Sequence, residues 1–143
     1  MKLTRYTDIA LRTLMHAALA PQRQRISIDD VARVFRVPRS HVVKAVHHLG
    51  RLGLLMTVRG RGGGLELARP AEEIVLGSVI RETERFELLE CFDPETDTCP
   101  ITSSCRLKGI LGRAAAAFMA VLDDTTLADL VRNRTSLERQ LDL

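Results

Sequence analysis

Between residues 27 and 67 the chain carries two short helical patterns, broken by a proline and followed at once by a glycine-rich hairpin signal. Few folds accept that order. Ser27 is a good N-cap for Ile28-Asp29-Asp30-Val31-Ala32-Arg33-Val34-Phe35, whose acids stand in the first turn where the helix dipole favours them. Arg36-Val37-Pro38 interrupts the pattern, and a new periodic run starts at Arg39 and continues to about Arg51. Gly53 then closes the helix and Leu54-Leu55-Met56-Thr57-Val58 reads as a strand. Arg59-Gly60-Arg61-Gly62-Gly63-Gly64 reads as a flexible turn and Leu65-Glu66-Leu67 as the returning strand. The expected fold class is mainly α with a small β-hairpin wing, a winged helix-turn-helix.

In the second helix of the pair, Val42, Val46 and Leu49 form an inward stripe, which leaves Arg39, Ser40, His41, Lys44, His47 and His48 among the remaining positions. Hydrogen-bonding and cationic groups on one face suit a recognition helix, because base edges in the major groove are read by donors and acceptors while cations neutralise phosphate. Arg39, Ser40, His41 and Lys44 are the candidate groove-facing residues, and Arg59 and Arg61 at the wing tip the candidates for the backbone or minor groove. A nucleotide-binding glycine loop is a poor reading of the same stretch, since no Gly-Lys-Ser/Thr follows it. Charge supports a polyanionic partner. Residues 1–70 hold 13 Lys/Arg against 4 acids, a balance of +9, within a chain of net charge +3. With 3% aromatic residues there is little material for stacking on single strands, so double-stranded DNA is the expected partner.

A first helix is expected over residues 5–20, where Tyr6, Ile9, Ala10, Thr13, Leu14, Ala17 and Ala18 recur at spacings of three and four before Pro21. A short polar loop, Gln22 to Arg25, follows it. Beyond Pro70, Ile74-Val75-Leu76 leads into a short helix ending near Arg85, and an irregular stretch runs from Phe86 to Ser104. The longest helix is expected over Arg106 to Leu122. Its apolar stripe of Leu107, Ile110, Leu111, Ala114, Ala117, Phe118, Val121 and Leu122 is long for so small a domain to bury. Pairing with a second copy is the economical reading, making this a dimerisation helix of a homodimer; packing back on its own domain is the alternative. A last short helix through Leu127, Leu130 and Val131 is expected before a loosely ordered polar tail after Arg132. With 143 residues the chain is expected to fold as one cooperative unit, in which residues 1–70 form the DNA-binding region and 71–143 the cysteine loop and long helix. No membrane span or export signal is read, which implies a cytoplasmic protein. No nucleophile, base and orienting group occur in a supporting context, so no catalytic residues are assigned and the protein is not expected to be an enzyme.

Cys91, Cys99 and Cys105 follow a C-x7-C-x5-C spacing. Disulfides fit poorly, because an odd count leaves one thiol over and the cytoplasm is reducing. Zinc normally takes four ligands, and His16, His41, His47 and His48 are all distant in sequence. Three thiolates on a loop leading into a dimer helix fit an iron-sulfur cluster better, with the fourth ligand from elsewhere. An unliganded loop of reduced cysteines is the competing reading.

Several segments resemble a known family. They are Leu3-Thr4-Arg5-Tyr6-Thr7-Asp8-Ile9-Ala10-Leu11-Arg12, Val37-Pro38-Arg39-Ser40-His41-Val42-Val43-Lys44, Val58-Arg59-Gly60-Arg61-Gly62-Gly63-Gly64, Cys99-Pro100-Ile101 and Cys105-Arg106-Leu107, together with the closing Leu127-Ala128-Asp129-Leu130-Val131. In order and over nearly the whole chain they resemble NsrR, the nitric-oxide-sensing repressors of the winged-helix family that also contains IscR. The resemblance implies a homodimeric transcriptional repressor with a [4Fe-4S] cluster, a [2Fe-2S] form being an alternative or degradation state, that releases its DNA operator when nitric oxide reacts with the cluster. It places Cys91, Cys99 and Cys105 on the thiolate ligands and Asp8 on a carboxylate reaching the cluster from the other subunit. By residue chemistry alone Asp8 is equally a first-turn charge favoured by the helix dipole. The chain departs from the family in its longer interval between Cys91 and Cys99, and in Pro38, which stands where a capping Ser is common. IscR-like members use a histidine soon after the third cysteine; Leu107, Lys108 and Gly109 occupy that neighbourhood here.

Overall fold

The computed structural model describes residues 2–21, 24–85 and 88–143. Gln22 and Arg23 of the expected polar loop, and Phe86 at the head of the expected irregular stretch, lie outside the described residues. Helix α1 spans Arg5–Leu19, α2 Ile28–Phe35 and α3 Arg39–Arg51. The Thr4 hydroxyl caps α1 by accepting from the Thr7 N–H. At α2 Ser27 and Asp30 close a reciprocal capping box, in which the Ser27 hydroxyl accepts from the Asp30 N–H and the Asp30 carboxylate accepts from the Ser27 N–H. Arg36 leaves α2 in the left-handed region at φ 51°, and Pro38 starts α3 without a side-chain cap. The turn between the two helices is thereby three residues long. Val42, Ala45, Val46 and Leu49 of α3 and Val31 of α2 are buried with Ile9, Ala10 and Leu14 of α1. The inward stripe read from sequence is present, with Ala45 added to it.

Strands β1 (Leu55–Val58) and β2 (Gly64–Leu67) pair antiparallel, in register from Leu55 opposite Leu67 to Val58 opposite Gly64. Ile26 adds a bridge to the other edge of β2, its N–H donating to Leu65 O at 3.1 Å and its carbonyl accepting from the Leu65 N–H at 2.7 Å. This bridge anchors the wing to the segment that enters α2. The glycines of the turn have two different duties. A Cβ on Gly63 would stand 2.4 Å from Val58 O, and one on Gly64, at φ +154°, 2.7 Å from Ile26 O, so both are required for the hairpin to close. Gly60 and Gly62 adopt positive φ in open space, which shapes the tip around Arg59 and Arg61.

Helix α4 (Leu76–Thr83) buries Leu76, Val79 and Ile80, and α6 (Leu127–Leu130) buries Leu127. Leu127 donates to Ile74 O at 2.8 Å and Leu76 to Thr125 O at 2.9 Å, tying the chain on either side of the long helix together. One buried cluster draws on both Ile9 and Leu14 before residue 70 and Ile74, Val79 and Leu127 after it. Helix α5 (Arg106–Asp123) has 18 residues and not one of them is buried in the single chain. It meets α4 through Arg81, which forks onto the Asp123 carboxylate with two bonds of 2.6 Å. The tail expected to be loose is instead helix α7 (Arg134–Leu141). Its order comes from a contact no local pattern announces: the Arg134 guanidinium donates to the carbonyls of Ala18, Leu19 and Ala20, the last of α1, which have no partner within the helix.

His16 on α1 is buried against the edge of Phe35 at 5.9 Å between ring centroids, and its Nδ1 has no hydrogen-bond partner. Burial pushes its imidazole below the ordinary value; Asp30 opposes that shift and Arg33 adds to it. The unfolded chain therefore takes the proton first as pH falls, so stability is whole above about pH 6.5 and declines below it. Thermal melting between pH 7.5 and 5 is expected to show a fall in Tm that His16→Gln reduces; equal falls in both proteins would assign the dependence to other groups.

Candidate nucleic-acid interface and cysteine loop

On the side of α3 away from the core, Arg39, Ser40, His41, Lys44, His47 and Arg51 are exposed. Arg39 reaches back to Asp29 of α2 at 2.7 Å, an exposed ion pair of the kind worth little in water, and thus easily exchanged for a phosphate or a base edge. His48 does not belong to the exposed set, because its Nδ1 bonds the Tyr6 hydroxyl at 2.8 Å with the two rings stacked. Arg59 and Arg61 stand exposed at the wing tip. Arg25 braces the wing from beside it, donating to Glu66 at 2.8 Å and to Gly62 O at 3.2 Å. Sequence reasoning missed Arg5. A shallow cavity lined by Arg5, Tyr6, Ile9, His41 and Lys44 sets this cation from the start of α1 beside the recognition helix. No periodicity reveals that neighbourhood, since 36 positions separate Arg5 from His41.

The three cysteines are free thiols of one excursion between α4 and α5. Cys91 is buried in the single turn Glu90–Phe92. Cys99 is half-buried, and its N–H donates to Asp97 Oδ1 at 3.1 Å, an oxygen that also accepts from the Thr102 hydroxyl at 2.8 Å. Cys105 is the N-cap of α5, and no side chain bonds the open amides there. Among the described residues no three His, Cys, Asp or Glu side chains form a group able to hold a single metal ion, so Asp8 joins no such group with the cysteines within one chain. The donor set nonetheless fits an iron-sulfur cluster. Thiolates are the ligands such clusters take, and the open end of α5 favours negative charge beside Cys105.

Asp8 lies in the first turn of α1, half-exposed, with Oδ1 2.8 Å from the Arg12 guanidinium. That turn is stapled to the end of α4: the Thr4 N–H donates to Glu84 and the Thr7 hydroxyl to Thr83 O at 3.1 Å. Burial would raise the Glu84 carboxyl, yet the bonds from Thr7 and Thr4 outweigh it and hold the group below the usual carboxylate range. The same turn is thus fixed to α3 by Tyr6 and to the root of the cysteine loop by Thr4 and Thr7.

A three-helix unit with a basic outward helix and an anchored hairpin defines a winged helix-turn-helix DNA-binding protein. Residues 3–133 match the Rrf2 family, described as iron-dependent transcriptional regulators, and the chain belongs to that family. It is a DNA-binding transcriptional regulator and not an enzyme. The chain is 46% identical over 142 residues to the HTH-type transcriptional regulator NsrR of Shouchella clausii, covering 99% of this chain and 95% of that one. It is 44% identical over 144 residues to NsrR of Halalkalibacterium halodurans, covering 100% and 99%. Among solved structures, Staphylococcus aureus CymR superposes with a TM-score of 0.71 at 29% identity, covering 89% of this chain and 95% of that one. T. potens IscR, at 21% identity, shares the fold with a TM-score of 0.76 over 93% of this chain and 88% of that one. No helix among the described residues is long and apolar enough to cross a membrane.

Arg61→Ala and Arg5→Ala are each expected to weaken binding to every duplex by a similar factor, and to reduce the slope of log affinity against log salt by about 1. Fluorescence anisotropy across a salt series measures both, and unchanged slopes would remove these arginines from the phosphate contacts.

Proposed function

We propose that this regulator is a homodimeric repressor that holds a [4Fe-4S] cluster on Cys91, Cys99 and Cys105, completed by Asp8 from the second copy, and that it releases DNA in response to nitric oxide. The observation that carries the reading is the coincidence of three free thiols with a long helix none of whose residues is fully buried in its own chain. The 43–46% identity to proteins named NsrR supports the choice of signal. When bound, the cluster supplies iron with which nitric oxide reacts.

What the chain's own residues do follows from their partners. The three thiolates hold the cluster at the root of α5, while a carboxylate oxygen is a poorer match for such iron than sulfur is. Asp8 would therefore be the weakest of the four residues that would hold the cluster, and Arg12 offers its carboxylate a competing partner one turn away on α1. With Asp8 engaged across the interface, α1 of one copy is tied to the loop of the other, and the Tyr6–His48 bond carries that tie to the recognition helix. When Asp8 returns to Arg12 the tie is lost. The two recognition helices then change spacing or angle, which gives the two states the different DNA affinities that regulation requires.

Iron and sulfide analysis after anaerobic purification tests the reading directly, with about four of each per chain expected and loss of DNA affinity on addition of nitric oxide. A metal-free protein whose DNA affinity follows thiol oxidation would replace it with a cofactor-independent regulator. Asp8→Ala is expected to keep fold and dimer while changing the cluster's absorption and circular dichroism and its rate of reaction with nitric oxide. If those spectra and rates match the parent, Asp8 is only a helix-end charge. The dimer itself is proposed to form along α5, where Leu107 is 53% exposed, Ile110 51% and Val121 68% in the single chain. Leu111 and Phe118 are half-buried in the single chain, and burying the rest of each in the interface contributes less than the roughly 1.5–3 kcal/mol of full burial. Changing both to Glu is expected to give monomers without operator affinity, and a variant that still sediments as a dimer would move the interface elsewhere.

A further inference from the structure

We propose that Val43 is a specificity-determining residue that reads the C5-methyl group of a thymine in the major groove, an inference that rests on the DNA-binding reading and deepens it. The core side of α3 is complete without it, since Val42, Ala45, Val46 and Leu49 are all buried. Val43 is instead 38% exposed. By helical spacing it is the neighbour of Arg39 at i−4, Ser40 at i−3 and His47 at i+4, all of them exposed. It is the one large aliphatic side chain among the described residues of that outward face.

A lone exposed valine elsewhere on a protein needs no explanation. Here the position decides. It is the fifth residue of a 13-residue helix, in the N-terminal half from which recognition helices reach base edges. Docking this face on DNA strips water from Val43 together with its polar neighbours. The apolar group that a base pair offers in the major groove is the thymine methyl, and the other edges there present donors and acceptors that a valine cannot satisfy. Branching at Cβ also leaves Val43 one strongly preferred rotamer on a helix, so its methyls are held in place before DNA arrives. The polar neighbours Arg39, Ser40 and His47 fit the adjoining donor and acceptor edges, and Val43 adds a demand for thymine at one step among them.

The test uses the full chain purified anaerobically. A preferred duplex is selected from random-sequence DNA, and each thymine is then replaced singly by deoxyuridine, which removes the methyl and keeps every hydrogen-bonding group. Dissociation constants are measured for the parent, Val43→Ala and Val43→Thr. One thymine in each half-site is expected at which methyl loss weakens the parent about fourfold, the factor for one buried carbon. Val43→Ala is expected to bind the unmodified duplex more weakly by a similar factor and to show no further loss at that position, with Val43→Thr retaining part of the sensitivity. Equal losses in parent and Val43→Ala at every thymine, or no loss anywhere, overturn the assignment to Val43 and leave DNA binding intact. Failure to select or bind any duplex overturns the DNA-binding reading itself.

Discussion

The burial of α1 is the constraint on which the rest of the structure depends. Ile9, Ala10 and Leu14 are almost wholly withdrawn from water, and α1 packs against α2, α3, α4, α6 and β2. Two of its three buried polar side chains are satisfied where they stand, Thr13 bonding back to Ile9 O at 2.7 Å and Thr7 out to Thr83 O, while the His16 Nδ1 is not. Both ends are held by distant residues, the first turn by Glu84 and Thr83 and the last carbonyls by Arg134. A displacement of α1 would therefore move the recognition helix and the start of the cysteine loop together.

Against this well-packed unit, α5 is exceptional. A helix of 18 residues that buries none of them gains little from its own chain beyond the α4 contact and the Arg81–Asp123 fork. Helical stability in proteins comes mostly from packing an apolar face, so this helix has most to gain from the proposed dimer. A second copy suits it because an antiparallel or crossed pair of identical stripes is self-complementary. Gly77 makes room for that ion pair: a Cβ there would stand 1.9 Å from Asp123 Oδ1 and force that carboxylate off Arg81. The geometry of α4 against α5 is thus set by a glycine and an ion pair, both next to the segment that leads toward the cysteines.

Electrostatics divides the molecule in a way that agrees with this mechanical division. Of the cations in the first 70 residues, Arg39, Lys44 and Arg51 lie on α3, Arg59 and Arg61 on the wing and Arg5 at the start of α1, where phosphates are the natural counter-ions. Two of the ion pairs they form bear on the proposed function, Arg39 with Asp29 and Arg12 with Asp8. Both pairs are exposed enough to exchange partners at low cost. Such pairs hold side chains in a defined resting place without committing them, and each lies where the proposed function asks a side chain to change its partner.

The helix-turn-helix and wing were legible in the sequence because their signals are local: Ser27 with Asp30, Pro38, the Val42-Val46-Leu49 stripe and the glycine-rich turn all act within a few residues. The thiol triplet and the apolar stripe of α5 were legible for the same reason. Tertiary structure alone decided the rest. Helix α7 exists where a loose tail was expected because Arg134 meets carbonyls more than 110 residues earlier in the chain. Arg5 joins the recognition face, His48 leaves it for Tyr6, and Gly64 makes room for Ile26, each through a neighbour brought close only by folding. Propensity, capping and periodicity are short-range effects that a string of residues displays, whereas a hydrogen bond between distant segments depends on where the whole chain places its ends.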